Sequence, residues 1–415
     1  MTGALQAPPV EVGRSRTRRI LVFAYACEPG KGSEPGAGWL WVRMLALLGT
    51  VDVITRANNR PSIERALPDT PEAANLRFIY VDLPRWTRRW KRGQRGIRLY
   101  YLLWQAAALR TARRDQSHYD LAWHLTLANA WLGSLAPLTG LPFVYGPVGG
   151  GVRTPLRLVS SLGTRGALYE LGRETARTLS RYLNPVARLA WRRAEVILTQ
   201  NTETSEWFPV RHRAKTVICQ NAVVDSADPS RDRVGGRTAL FVGRLMPWKG
   251  VALALRAIAL SDDWRLLICG QGRDEVRLRR LAEKLSVGDR VSFLGWQSPA
   301  ALRRIMRDDA DVLLFPSLHE DCSHAVAEAV SSGLPVICLD RGGPPVLAGP
   351  VGTHCRAEGT TREVVTRLSR ALAGFEPPSR EAIDEALIGM SIDARVAVIR
   401  DIVESVDAKA RGRAS

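Results

Sequence analysis

Residues 311–343, DVLLFPSLHEDCSHAVAEAVSSGLPVICLDRGG, constrain the fold of this chain more than any other stretch. Asp311–Pro316 is an apolar run of strand length. Ser323 suits the N-cap of a helix running through Ser332, Gly333 suits its C-terminal glycine, and Leu334–Leu339 is a second buried strand. A strand, loop, helix and strand in this order form a βαβ unit. Its first turn, Leu318–Ser323, then sits at the carboxyl end of a parallel strand, where open α/β sheets bind ligands. The amides that open the helix are unpaired donors at the positive end of a dipole, which suits a phosphate. Glu320 and Glu328 stand eight residues apart, one on the turn and one about two turns into the helix, placed to grip different parts of an elongated ligand.

The same βα alternation runs through the chain. Ile20–Ala26, Val51–Arg56, Arg77–Leu83, Tyr119–Leu125, Pro142–Tyr145 and Glu195–Gln200 read as one series of strands. Thr238–Arg244, Arg265–Cys269, Val291–Leu294, Asp311–Pro316 and Pro335–Leu339 read as a second, with helical spacing over Val251–Leu260 and Asp274–Leu285. The polar segment Asp225–Arg237 between them, with its Pro and Gly pair, reads as a linker. At 415 residues two domains are expected. The fold class is therefore α/β with two doubly wound domains.

The Glu-x7-Glu spacing, the small-residue helix and the Gly-Leu-Pro-Val strand together resemble the donor-site motif of retaining GT-B glycosyltransferases, glycosyltransferase family 4 in particular. That resemblance implies two Rossmann-like domains facing a cleft. Residues 1–18 read as a disordered tail and 225–237 as the linker, and the resemblance implies an acceptor-binding domain over 19–224 and a nucleotide-sugar domain over 238–390. A last helix over 391–415 would cross back onto the first domain. By position Glu320 would hold sugar hydroxyls, Glu328 the ribose, and the loop Asp321, Cys322, Ser323 and His324 the diphosphate. The family usually has Gly-Phe-Gly after the first Glu, where this chain has Asp321-Cys322-Ser323, and Asp321 is a second candidate for the sugar-facing carboxylate.

Further motifs lie in the family's order. FVGRLMPWKG puts Gly243 and Arg244 on a turn after a strand and Lys249 at the next helix start. A cation pair there suits a departing diphosphate, and the resemblance gives Arg244 and Lys249 that role. Gly270 and Gly272 follow another strand, in the loop that lies by the nucleotide in the family. Trp296 either packs on the base or plugs the domain. In the first domain YACEPGKGSEPGAGW, residues 25–39, is long for a βα turn and polar, with a helix beginning near Ala37. Gly36 and Gly38 would approach the donor phosphate there, while Glu28 and Glu34 are acceptor-side or solvated carboxylates. His124 ends a strand, as a histidine near the reacting centre does in the family, or is a packed histidine. Residues 146–151, GPVGGG, form a further turn on the acceptor side.

Charge adds a partner. The net +18 is uneven: residues 1–220 hold 32 Lys and Arg against 15 Asp and Glu, and the remainder 27 against 26. Arg85–Arg114 holds ten of these cations and no acid, interleaved with Trp86, Trp90, Tyr100, Tyr101 and Trp104. Such a segment suits an anionic membrane surface, a nucleic-acid backbone or plain solvation. The first reading joins a lipid-linked or polysaccharide acceptor, with no nucleic-acid partner. Six scattered cysteines without a Cys/His cluster argue against disulfides and structural zinc, so the cytoplasm, peripheral on the inner face of the plasma membrane, is the expected location. The expected activity is a retaining hexosyl transfer from a nucleotide-sugar without a metal or other cofactor. The alternative is a non-catalytic basic membrane- or nucleic-acid-binding protein. A dinucleotide oxidoreductase would need GxGxxG after a strand, and neither domain supplies it.

Overall fold

A computed structural model describes residues 18–84, 87, 96–224 and 236–414. Residues 1–17 of the expected tail, Trp86 and Trp90, and most of the expected linker lie outside the described residues.

The first sheet holds seven strands: β1 (Arg18–Phe23), β2 (Gly49–Thr55), β3 (Leu76–Tyr80), β4 (Leu121–His124), β5 (Phe143–Val148), β6 (Ala194–Thr199) and β7 (Thr216–Ile218). Their order is β3-β2-β1-β4-β5-β6-β7, and the pairings are parallel. Alternate residues of β1 enter different cores: Ile20 and Val22 pack on one side, Leu21 and Phe23 on the other. Both faces are thus covered, as a parallel sheet requires.

The second sheet holds β8 (Thr238–Val242), β9 (Arg265–Cys269), β10 (Val291–Gly295), β11 (Val312–Phe315), β12 (Val336–Leu339) and β13 (Gly352–Cys355), in the order β10-β9-β8-β11-β12-β13, again parallel. Strand order reverses at β1/β4 in one sheet and at β8/β11 in the other. Loops leaving the strands at such a reversal diverge and open a crevice at the carboxyl ends.

Five helices frame the cleft and tie the domains together: α1 (Ser33–Ala46), α2 (Ile97–Ala112), α3 (Gly163–Leu183), α4 (His324–Ser331) and α5 (Ile392–Ala414). The domains exchange segments in both directions. Helix α5 returns to the first domain, where Val396, Ile399, Ile402, Val403 and Val406 join its core and Asp407 pairs with Arg18 of β1 at 2.6 Å. Conversely Leu158 and Leu162, just before α3, pack into the second domain's core.

Three expectations need correction. Arg18 is the first residue of β1, not part of a tail. Helix α1 begins at Ser33, four residues before Ala37, because Pro35 is tolerated in a first turn where no backbone donor is needed. The aromatics of α2 are not an interfacial belt: Tyr100, Tyr101 and Trp104 are buried, and the Trp104 indole donates to the Val81 carbonyl at 2.9 Å.

Candidate active site

The two crevices face each other. One cavity of about 460 Å³ is lined from the first domain by Ser33, Glu34, Tyr101, Leu127, Ala128, Asn129, Leu132 and Gln200. From the second come Arg244, Glu320, Asp321, Cys322 and His324, with Asn221 between the domains. A second cavity of about 400 Å³ adjoins it, sharing Ser33 and His324 and reaching Gly36, Arg303 and Glu328. Glu320 and Glu328 therefore stand in neighbouring compartments of one cleft.

Helix α4 is capped as its sequence requires: the Ser323 hydroxyl accepts from the Val326 amide at 3.3 Å. Cys322 does not face the cleft as a reactive thiolate. Its sulfur accepts from the Ala222 amide at 3.3 Å, and burial pushes the thiol up to about 12. His324, the first residue of α4, is pushed down to about 4 by burial and then by the Lys249 charge, so at neutral pH it carries no charge. Glu328 opens into the cleft, yet the surrounding walls remove enough water to raise its carboxyl pKa, with Arg303 opposing.

Lys249 and Glu320 form an ion pair with both side chains largely shielded. Their loops are bonded, the Leu318 amide donating to the Trp248 carbonyl at 2.8 Å. Gly250 allows this approach, because at φ +77° an added Cβ would lie 1.8 Å from the Pro316 carbonyl oxygen. Arg244 is exposed and lines the cavity, and among the described residues its side chain has no hydrogen-bond or ion-pair partner. Its charge is available to a ligand.

The glycines allow close backbone packing. A Cβ on Gly36 would meet the Lys31 carbonyl oxygen at 1.8 Å, and one on Gly38 the Ala26 oxygen at 2.2 Å. Both let α1 press on its own loop; Gly36 lines the second cavity, whereas Gly38 is buried behind it. Gly243, Gly270 and Gly272 knit three strand ends together. The Gly243 amide donates to the Cys269 carbonyl at 3.0 Å, and a Cβ on Gly270 or Gly272 would strike Gly243 or Leu245 backbone. Trp296 is 69% exposed and so plugs nothing.

In the first domain His124 is 1% exposed, with Nε2 2.6 Å from the Tyr101 hydroxyl and Nδ1 2.7 Å from the Ser134 hydroxyl. Burial holds its pKa down to about 3. It is a neutral packed histidine behind Tyr101, and Tyr101 is the residue that reaches the cleft. Glu28 also faces away, taking a bond from the Ser62 hydroxyl at 2.9 Å and pairing with Lys31 at 3.0 Å. Glu34 does line the cleft. Burial raises its pKa, the Leu127 amide opposes, and the Asp321 carboxylate adds to the rise. Ser33 (φ 63°) and Leu127 (φ 53°) both adopt the left-handed region beside it. Such strain persists where the surroundings over-determine it, commonly at binding sites.

Asp321 bridges the domains. Its carbonyl accepts from the Asn201 amide nitrogen at 2.9 Å, and its carboxylate lies 3.4 Å from the Thr204 hydroxyl. A Cβ on Gly149 would lie 2.8 Å from the same carboxylate, so the 146–151 turn abuts the donor loop. Sequence reasoning missed Tyr101, Asn129, Gln200 and Asn221 as cleft residues. The last two follow β6 and β7 closely, and that position was the available signal. Among the described residues no group of three or more His, Cys, Asp or Glu could hold a metal ion, and no helix is long and apolar enough to cross a membrane.

Residues 227–385 match the family model described as glycosyl transferases group 1. Over 166 residues the chain is 31% identical to a D-inositol 3-phosphate glycosyltransferase of Corynebacterium glutamicum, covering 35% of this chain and 40% of that protein. Over 113 residues it is 40% identical to a GDP-mannose-dependent alpha-mannosyltransferase of Mycolicibacterium smegmatis, covering 27% and 28%. The chain thus matches well under half the length of these relatives. Solved structures extend the likeness to the whole fold. Anabaena HepE in complex with UDP and glucose superposes with a TM-score of 0.61 at 17% identity, covering 94% of this chain and all of that one. Sucrose-phosphate synthase from Thermosynechococcus elongatus gives 0.63 at 16%, with the same coverage.

Proposed function

We propose that this chain, whose residues 227–385 match the glycosyl transferases group 1 model and whose two sheets superpose on GT-B structures, is a retaining glycosyltransferase that uses a nucleotide-diphosphate sugar. One observation carries the reading: Arg244, Glu320 and the start of α4 line one interdomain cleft, opposite Glu34, Leu127 and Asn129, with Lys249 paired to Glu320. The names of the relatives, one GDP-mannose-dependent, and the UDP and glucose in a structural neighbour support a nucleotide-sugar as the ligand class.

In this reading the diphosphate lies against the amides opening α4 and the Arg244 and Lys249 cations. A diphosphate that reaches Lys249 competes with Glu320, releasing that carboxylate to accept bonds from sugar hydroxyls. Glu328, one compartment away, takes the ribose. The acceptor hydroxyl attacks the anomeric carbon on the face from which the diphosphate leaves. The bond from anomeric carbon to phosphate oxygen breaks as the new glycosidic bond forms, and the hydroxyl proton passes to the departing phosphate oxygen. Two cations and oriented amides supply the charge stabilisation such a step needs, which supports metal independence. His124 is given no acid or base role. Its place behind Tyr101 makes it a positioning residue. The acceptor class we favour is a glycan or lipid-linked sugar in cell-surface polysaccharide or glycolipid synthesis, at the cytoplasmic face of a membrane.

The test is steady-state turnover of Arg244→Ala and Glu320→Gln across UDP-, GDP- and ADP-sugars with polyprenyl- and inositol-type acceptors. Loss of one charge-assisted contact of about 1.5–3 kcal/mol should lower kcat/KM by roughly ten- to a hundred-fold. Unchanged turnover in both variants would defeat the assignment.

A further inference from the structure

Helix α3 is built the wrong way round for a surface helix. Most of its charged residues face the protein: Glu170 is 2% exposed and Arg177 fully buried, while Arg165 in its first turn is exposed. Arg173 bonds the Val152 carbonyl at 3.0 Å and Glu170 at 3.2 Å, while Arg177 pairs with Glu174 at 2.7 Å. From Leu168 to Leu183 its outer face is apolar and uncharged. Leu168, Leu171, Leu179, Tyr182 and Leu183 are all more than half exposed, separated by Thr164, Thr175 and Thr178, and Leu156 precedes them at 88%. A contiguous stripe of this kind is unusual on a soluble surface and marks a partner.

The charges around the stripe say which partner. Between residues 151 and 193 there are nine arginines and two acids, and both acids, Glu170 and Glu174, are taken up by the inward pairs. Arg153, Arg157, Arg165 and Arg188 are exposed around the stripe; Arg153 pairs with Glu174 at 3.5 Å and Arg157 faces Glu363, so the basic charge remains in excess there. We propose that the outer face of α3 is the surface by which this protein docks onto an anionic lipid membrane. Leucines and a tyrosine enter the headgroup boundary while the arginine stems lie along it with their guanidinium groups on lipid phosphates. A second copy of the chain fits less well, since a two-fold contact would set these arginines against their own kind.

The inner face of the same helix touches the donor loops. Tyr169 stacks on Trp248 at 4.7 Å between ring centroids, and Trp248 on His319 at 5.3 Å. Those residues neighbour Lys249 and Glu320. Docking on α3 would hold the cleft beside the lipid surface, where a lipid-linked acceptor resides. The docking itself does not depend on the catalytic reading.

The experiment is flotation of the full chain with phosphatidylcholine vesicles, with and without phosphatidylglycerol, for wild type and for Leu171→Glu/Leu179→Glu. Both leucines are exposed, so the fold should persist, and an unchanged thermal midpoint checks this. Wild type should float with the anionic vesicles, and the double variant should lose at least about tenfold in apparent affinity. A matched control, Leu99→Glu/Leu102→Glu on α2, should bind as wild type. The proposal is overturned if wild type does not bind anionic vesicles. It is equally overturned if the α3 variant binds unchanged, if the α2 variant alone loses binding, or if the α3 variant instead abolishes a dimer seen in solution.

Discussion

Replacing Glu170 by glutamine should cost stability at neutral pH and weaken donor binding, because this carboxylate braces the donor loop from the other domain. Glu170 comes from α3 in the first domain. It accepts from the Thr154 hydroxyl at 2.8 Å, pairs with Arg173, and lies 3.3 Å from His319, the residue before Glu320. Burial works against its ionisation. The contact with His319, and the charges of His319 and Arg173, outweigh that and hold its pKa down to about 2, against an ordinary 4.5. A folded pKa below the unfolded one means stability that is present above the unfolded value and lost as pH falls through the folded one. The shift corresponds to roughly 3 kcal/mol at pH 7. Glutamine keeps the shape and loses the charge, so the variant should unfold earlier by about that amount at pH 6–8. In a domain of this size that is roughly 6–12 °C. Between about pH 4.5 and pH 2 the gap should close, because wild type loses the same contribution. Thermal unfolding of both proteins over pH 2–8 is the assay. A gap that does not change with pH, or a more stable variant, would refute this role for Glu170; buried ion pairs are sometimes replaced without loss.

Other expectations rest on the same geometry. Gly250→Ala would place a Cβ 1.8 Å from the Pro316 oxygen at φ +77°, so the variant should lose several kcal/mol or fail to fold, read by circular dichroism melting. Tyr101→Phe would strip His124 Nε2 of its 2.6 Å partner, which should cost about 1–3 kcal/mol in urea unfolding; an unchanged midpoint would mean that the bond contributes nothing. Trp296→Ala should leave stability within about 0.5 kcal/mol, given its exposure. The same variant should weaken nucleotide binding only if the indole packs on the base.

Much of this was legible in the sequence because each motif is local. The helix capped by Ser323, the Gly333 turn and the buried strands 312–315 and 336–339 arise from patterns within thirty residues. Strands β7 and β13 escaped because they are short edge strands, TVI and GTHC, without an apolar run. The Arg-rich aromatic segment looked interfacial because sequence shows which residues are amphipathic, not which way a helix turns them. The fold sends Tyr101 and Trp104 inward, and the apolar outer stripe lies on α3, where interleaved charges hid it. His124 ended its strand as expected, but whether a strand-end side chain meets the cleft or the core depends on neighbours such as Ser134, ten residues on. Asn129, Gln200 and Asn221 come from separate loops that only the topology brings together.

The central claim is that Arg244, Lys249 and α4 form a nucleotide-sugar site that works without a metal. Calorimetric titration of UDP, GDP and ADP, and of their sugars, into wild type and Lys249→Ala in EDTA tests it most directly. One nucleotide class should bind wild type in EDTA at unchanged affinity and bind the variant at least roughly tenfold more weakly. Binding only with added divalent cation, or equal binding by both proteins, would contradict the claim.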